Sequence, residues 1–179
     1  MSLPAGTHQL GPDNATLSVR TRRVGAAAKA GHDLLFRVTA WNATLTVGED
    51  PDSATIELHA DAGSLHVLEG TGGIQALTDD DAASIHRTID DEVLKREDIE
   101  FRSTRVEARG NGGRLQVQGE LTIVGRTNPV AFELDLAEHG ALTASAVVTQ
   151  TAWGMKPYST LFGALKVHDD VEVALDGRL

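Results

Sequence analysis

The sequence contains no cysteine, so neither a disulfide framework nor thiolate chemistry is available to it. Aromatic residues are scarce as well, 4% of 179 residues, with two Trp and one Tyr. Small β-formers (Ala, Val, Gly, Thr) take their place. A core built from them is short of bulk, which leaves two outcomes: a tightly packed small barrel or a partly hollow one. Basic residues are outnumbered, 16 Lys and Arg against 26 Asp and Glu, for a formal charge of −10. That balance argues against nucleic acid, which needs clustered Lys and Arg. It argues equally against adsorption onto anionic lipid. An acidic surface that maintains solubility is the simpler reading. No apolar run is long enough to span a bilayer, so no membrane span is expected. Met1-Ser2-Leu3-Pro4-Ala5-Gly6 has neither a basic stretch nor an apolar one. No secretory signal is expected from it, and the chain reads as cytoplasmic.

Catalytic and metal-binding patterns are missing too. The histidines His8, His32, His59, His66, His86, His139 and His168 form neither His-x-His nor His-Glu-x-x-His. There is no Gly-x-Ser-x-Gly elbow. Gly70-Thr71-Gly72-Gly73 is not followed by Gly-Lys-Ser/Thr and is no phosphate loop. Asp79-Asp80-Asp81 lacks calcium-loop spacing. It suits a helix N-terminus capped by Thr78, where carboxylates complement the helix dipole. No metal and no cofactor is expected.

What is present is strong period-two alternation, the mark of half-buried antiparallel strands. Leu115, Val117, Gly119, Leu121 and Ile123 share one face; Gln116, Gln118, Glu120 and Thr122 share the other. After a turn placed at Gly125–Pro129, Val130, Phe132, Leu134 and Leu136 alternate with Ala131, Glu133, Asp135 and Ala137. Leu142, Ala144, Ala146 and Val148 share a face in a strand placed at 141–152. Further strands are expected at 15–24, 35–47, 54–60, 65–67, 99–108, 164–168 and 170–177. Within 35–47 the phase slips: Phe36, Val38 and Ala40 have one parity, Trp41, Ala43, Leu45 and Val47 the other. A bulge or sharp bend near Ala40–Trp41 follows. Turns are expected at Gly48–Asp52 and Asn111-Gly112-Gly113. Ala82, Ile85, Ile89 and Val93 at helical spacing predict one amphipathic helix over 79–94. The length fits one domain spanning 1–179.

Gly119-Glu120-Leu121-Thr122-Ile123-Val124-Gly125-Arg126-Thr127-Asn128-Pro129-Val130 resembles the hairpin of the YceI-like family. Ile99-Glu100-Phe101-Arg102-Ser103-Thr104 resembles the strand before it, and Asp169-Asp170-Val171-Glu172-Val173 the closing turn and strand. The resemblance covers roughly 8–179. It implies an all-β, lipocalin-like, up-and-down antiparallel barrel of about eight strands with one helix. It also implies an isoprenoid lipid or quinone tail in the lumen, and a homodimer.

The expected function is therefore a binding or carrier protein for a long apolar molecule. The residues expected to meet that ligand are His32, Phe36, Val38, Trp41, Ile56, Leu58, Leu121, Phe132, Leu134, Ala146, Val148, Trp153, Lys156, Tyr158 and Phe162. Gly31-His32-Asp33 aligns with a His-Ser pair of the family, with Asp33 in the Ser position. His32 would either meet a headgroup at the barrel mouth or tie down its own loop by backbone hydrogen bonds. Trp153-Gly154-Met155-Lys156-Pro157-Tyr158 would either grip an apolar chain or plug a loop. Two other functions stay open: an enzyme using His32 and Asp33 as an acid–base pair, and a stress-associated interaction protein with a packed lumen.

Overall fold

The computed structural model describes residues 5–49, 53–110 and 113–179. Of the turns expected at Gly48–Asp52 and Asn111-Gly112-Gly113, residues 50–52 and 111–112 lie outside the described residues. In chain order the strands are β1 (Gly6–Leu10), β2 (Ala15–Thr21), β3 (Arg23–Val24), β4 (His32–Val38), β5 (Trp41–Val47), β6 (Thr55–Ala60), β7 (Leu65–Gly72), β8 (Ile99–Arg109), β9 (Arg114–Ile123), β10 (Arg126–Leu136), β11 (Ala141–Thr149), β12 (Ser159–Thr160), β13 (Leu165–Val167) and β14 (Asp170–Arg178).

Eleven of them form one antiparallel sheet in the order β1-β5-β6-β8-β9-β10-β11-β14-β2-β4-β7. The sequence suggests about eight; the excess comes from bends. β1 continues into β2 through a turn at 11–14, β4 into β5 through Thr39–Ala40, and β6 into β7 through a 3-10 turn at Ala62–Ser64. Pairing carries across each break. β1 pairs β5 while β2 pairs β4, and β5 pairs β6 while β4 pairs β7. Each bent run thus lies beside the next in sequence. β14 finally pairs back onto β2, so the ladders close a ring. The phase slip in 35–47 falls at one of these bends. Bends of this kind let a strand follow a curved wall.

The β9–β10 hairpin is tighter than expected. Its turn is Val124–Gly125, with φ of 48° and 68°, and β10 begins at Arg126. Positive φ at both central residues is what a type I′ hairpin turn needs. Pro129 therefore lies inside β10, opposite Glu120. It is tolerated because β11 reaches only Glu133–Leu136 on the other side, so no ladder donor is lost at Pro129.

The helix also differs. α1 spans Asp79–Thr88, and Ile89–Val93 continues as a π-helical turn. Thr78 caps α1: its hydroxyl accepts from Asp81 N at 3.1 Å, and Asp81 Oδ2 accepts from Thr78 N at 3.0 Å. These two bonds complete a capping box. β12, β13 and β3 form a separate small sheet in that order. No helix among the described residues is long and apolar enough to cross a membrane.

Candidate functional site

The inward faces of the curled sheet do not meet. They enclose a cavity of about 900 Å³. Its wall is apolar, with Leu121, Val130, Phe132, Ala144, Ala146 and Val173 among the lining side chains. Their small or half-buried character records the opening: Ala144, Ala146 and Phe132 face inward yet are not fully covered. Below them Val106, Leu115, Val117 and Leu142 are almost fully buried and do not border the cavity. They form a packed floor. Ile85 and Ile89, one helical turn apart, close the cavity from the side of α1.

Polar groups gather at one end. Thr21, Arg23, His32, Gln75, Thr78, Asp81, Tyr158, Thr160 and Lys166 border the cavity where β2 ends, β4 and α1 begin and the small sheet sits. His32 Nε2 donates to the Gln75 carbonyl at 2.8 Å. Asp33, the next residue of β4, points to the opposite side and accepts from Arg23 N at 2.8 Å. Neighbours on a strand face apart, so the two side chains do not form a pair. The Arg23 guanidinium donates to the Gly31 and Thr71 carbonyls. Gly72 and Gly73, at φ of 81° and 79°, make room for this arrangement: a Cβ on either would collide with Arg23 or His32. The Asp81 carboxyl is held below the usual carboxylate range, first by the Thr78 backbone N–H, then by its hydroxyl, with a lesser contribution from His32.

Of the expected ligand-contacting residues, His32, Phe36, Val38, Ile56, Leu58, Leu121, Phe132, Leu134, Ala146, Val148 and Tyr158 border this cavity. Trp41, Trp153, Lys156 and Phe162 do not. Trp41 directly follows the β4–β5 break, which turns its indole into the packed core, where Nε1 has no hydrogen-bond partner among the described residues. Trp153 ends a 3-10 turn and donates from Nε1 to the Leu121 carbonyl at 2.8 Å, latching that turn onto β9. Lys156 is exposed, and Phe162 stands wholly in solvent on a loop. Met155, their neighbour, is buried and does reach the cavity. Arg23, Gln75 and Ile85 also border it and are not among the expected ligand contacts. Ile85 belongs to the helix stripe, while Arg23 sits in the two-residue β3 and Gln75 in a loop, and neither carries a periodic signal.

The model of the YceI-like domain family matches residues 9–179. Among solved structures, the chain is similar to BcnA of Burkholderia cenocepacia, with a TM-score of 0.65 and 14% identity, covering 90% of this chain and 94% of that one. It is also similar to the YCEI protein of Campylobacter jejuni, with a TM-score of 0.54 and 14% identity, covering 78% of this chain and 80% of that one. No curated protein matches the chain. At such identities the structural likeness speaks for the fold.

Proposed function

The chain belongs to the YceI-like domain family, and from that premise we propose that it is a carrier for a long apolar molecule of the isoprenoid class, held in the barrel lumen. The observation that supports this reading is the cavity: about 900 Å³, with a mostly apolar wall and with its ionisable side chains, Arg23, His32, Asp81, Tyr158 and Lys166, gathered at the mouth. That volume lies at the large end of small-molecule sites. An apolar chain threaded there removes both its own surface and the wall from water, at roughly 25 cal/mol per Å² of apolar area. His32, Gln75 and Lys166 would stay near the ligand's polar end. A packed lumen would have supported the interaction-protein reading instead.

The test is organic extraction of freshly purified protein followed by mass spectrometry, with native mass spectrometry of the intact complex. The expected result is a bound prenyl lipid or quinone, or stoichiometric uptake of a fluorescent prenyl analogue by extracted protein. A bare-chain mass together with no uptake of the analogue would reject the proposal.

A further inference from the structure

Net charge conceals a local reversal. Residues 22–31 and 150–168 contain Arg22, Arg23, Lys29, Lys156 and Lys166 and no Asp or Glu, in a chain of charge −10. The fold brings these two segments together. β13 pairs with β3 through Lys166↔Val24 and Val167↔Arg23, the Ala27 N–H bonds the Ala164 carbonyl at 2.8 Å, and His168 N bonds Arg22 O at 2.7 Å. Arg23 is turned inward. Arg22, Lys29, Lys156 and Lys166 are exposed and, among the described residues, none of the four has an ion-pair partner. The nearest acids in sequence are already engaged: Asp33 with Arg23, and Asp169 with Thr151.

The same island carries apolar tips. Phe162 is 112% exposed, Leu161 54% and Tyr158 46%. Leu161 and Phe162 both adopt positive φ, 51° and 54°, an uncommon and unfavourable backbone for such residues. The loop is bent to hold them outward rather than fold them onto the small sheet. Ile74, 79% exposed, projects from the loop across the mouth. Tyr158, Thr160, Leu165 and Lys166 border the cavity itself, so the island and the lumen share one rim.

We infer that this rim docks onto the surface of a bilayer containing anionic phospholipid, with Phe162, Leu161 and Ile74 entering the interface and Lys29, Lys156, Lys166 and Arg22 meeting the phosphates. Aromatic and aliphatic tips flanked by lysines are the composition that settles at the boundary between headgroups and acyl chains. Each cation near such a surface contributes roughly a fivefold factor in binding. The acidic face at Asp79–Asp81 lies on the helix side of the mouth, so the molecule would tilt with its small sheet toward the lipid. A ligand could then pass between bilayer and lumen without crossing water. This step rests on the lumen being a lipid site; docking itself does not.

Two measurements separate the two claims. The first is co-sedimentation with vesicles of pure phosphatidylcholine and of equimolar phosphatidylcholine and phosphatidylglycerol, at low and high salt. The second is uptake of the fluorescent prenyl analogue delivered from cyclodextrin, with no membrane present. The intact protein is expected on the anionic vesicles, less at high salt and little on neutral ones. Phe162→Ser should weaken that binding several-fold. Lys29→Glu with Lys156→Glu should weaken it by more than about tenfold. None of the three positions borders the cavity, so both variants should melt normally and take up the analogue from cyclodextrin as before. No association with anionic vesicles, or binding that neither variant changes, overturns the docking inference; a rim that serves a protein partner gives that result. Normal docking with no uptake from cyclodextrin sinks the carrier reading and leaves the docking inference standing.

Discussion

Gly119 occupies a place where a methyl group has no room. A Cβ there would sit 2.5 Å from the Arg102 carbonyl oxygen and from the Phe101 ring. That oxygen belongs to β8, paired here with β9, so both the strand and the ring would have to shift, disturbing the ring's tilted contact with Phe132 at 5.5 Å. Gly119→Ala is therefore expected to cost about 1–3 kcal/mol, the usual range for overpacking. A melting temperature equal to the parent's would show that strand and ring both shift without cost. Two residues on, Leu121→Asp would place a carboxylate on the apolar wall at a cost of about 3 kcal/mol or more. Glu120→Lys points to solvent and should change stability by less than about 0.5 kcal/mol. Matching melts for these two variants would contradict the face assignment. At this scale the hairpin was readable, because alternation reports which way each side chain points. Trp41 and Trp153 were not. Both were expected to contact the ligand, Trp153 as part of a grip, whereas a bend and a 3-10 turn aim them into the packed core.

The helix over the mouth depends on its first turn. Asp81 titrates below the ordinary carboxylate value because Thr78 donates to it. A folded-state value below the unfolded one means the cap is fully stabilising above the unfolded value of 3.8 and is lost as pH falls through the lower folded value. On acidification, the exchange protection of amides in 79–88, taken relative to the intrinsic rate at each pH, should fall before that of β8, β9 and β10. Thr78→Ala should reproduce this at neutral pH, at about 1 kcal/mol. A uniform fall in protection across helix and sheet at low pH would argue that the cap is not the weak point. The element boundaries show where local signals end. The stripe Ala82, Ile85, Ile89 and Val93 predicted a helix to 94, but side-chain spacing alone does not distinguish the α-helix from the π-turn that finishes it. β1 was missed, since Gly6–Leu10 is short and barely alternates. Pro129 drew the hairpin turn too far into β10, because the open flank that tolerates it is a property of the sheet, not of the sequence.

Closure of the ring belongs to the whole molecule. Strand phases do not say that β14 returns to β2, nor how far apart the walls stand. Composition left the choice between filled and hollow open, and Ala144 and Ala146 fit both until the cavity was seen. Ala146→Trp tests the difference. In the hollow lumen the indole takes ligand space, so extracted protein should keep or gain melting temperature while losing affinity for the prenyl analogue. In a filled barrel it would overpack, at about 1–3 kcal/mol or more. A sharply lowered melt would reject the open lumen, and unchanged affinity would put the ligand elsewhere. The placement of the indoles has an optical consequence. Trp41 and Trp153, at 5% and 4% exposed, sit in the walls, while Phe36, Phe101 and Phe132 face the cavity and the single Tyr158 stands at its mouth. The intrinsic emission of the protein should be blue, shielded from aqueous quenchers and nearly indifferent to filling, so that a conjugated polyene in the lumen would announce itself chiefly as an energy acceptor.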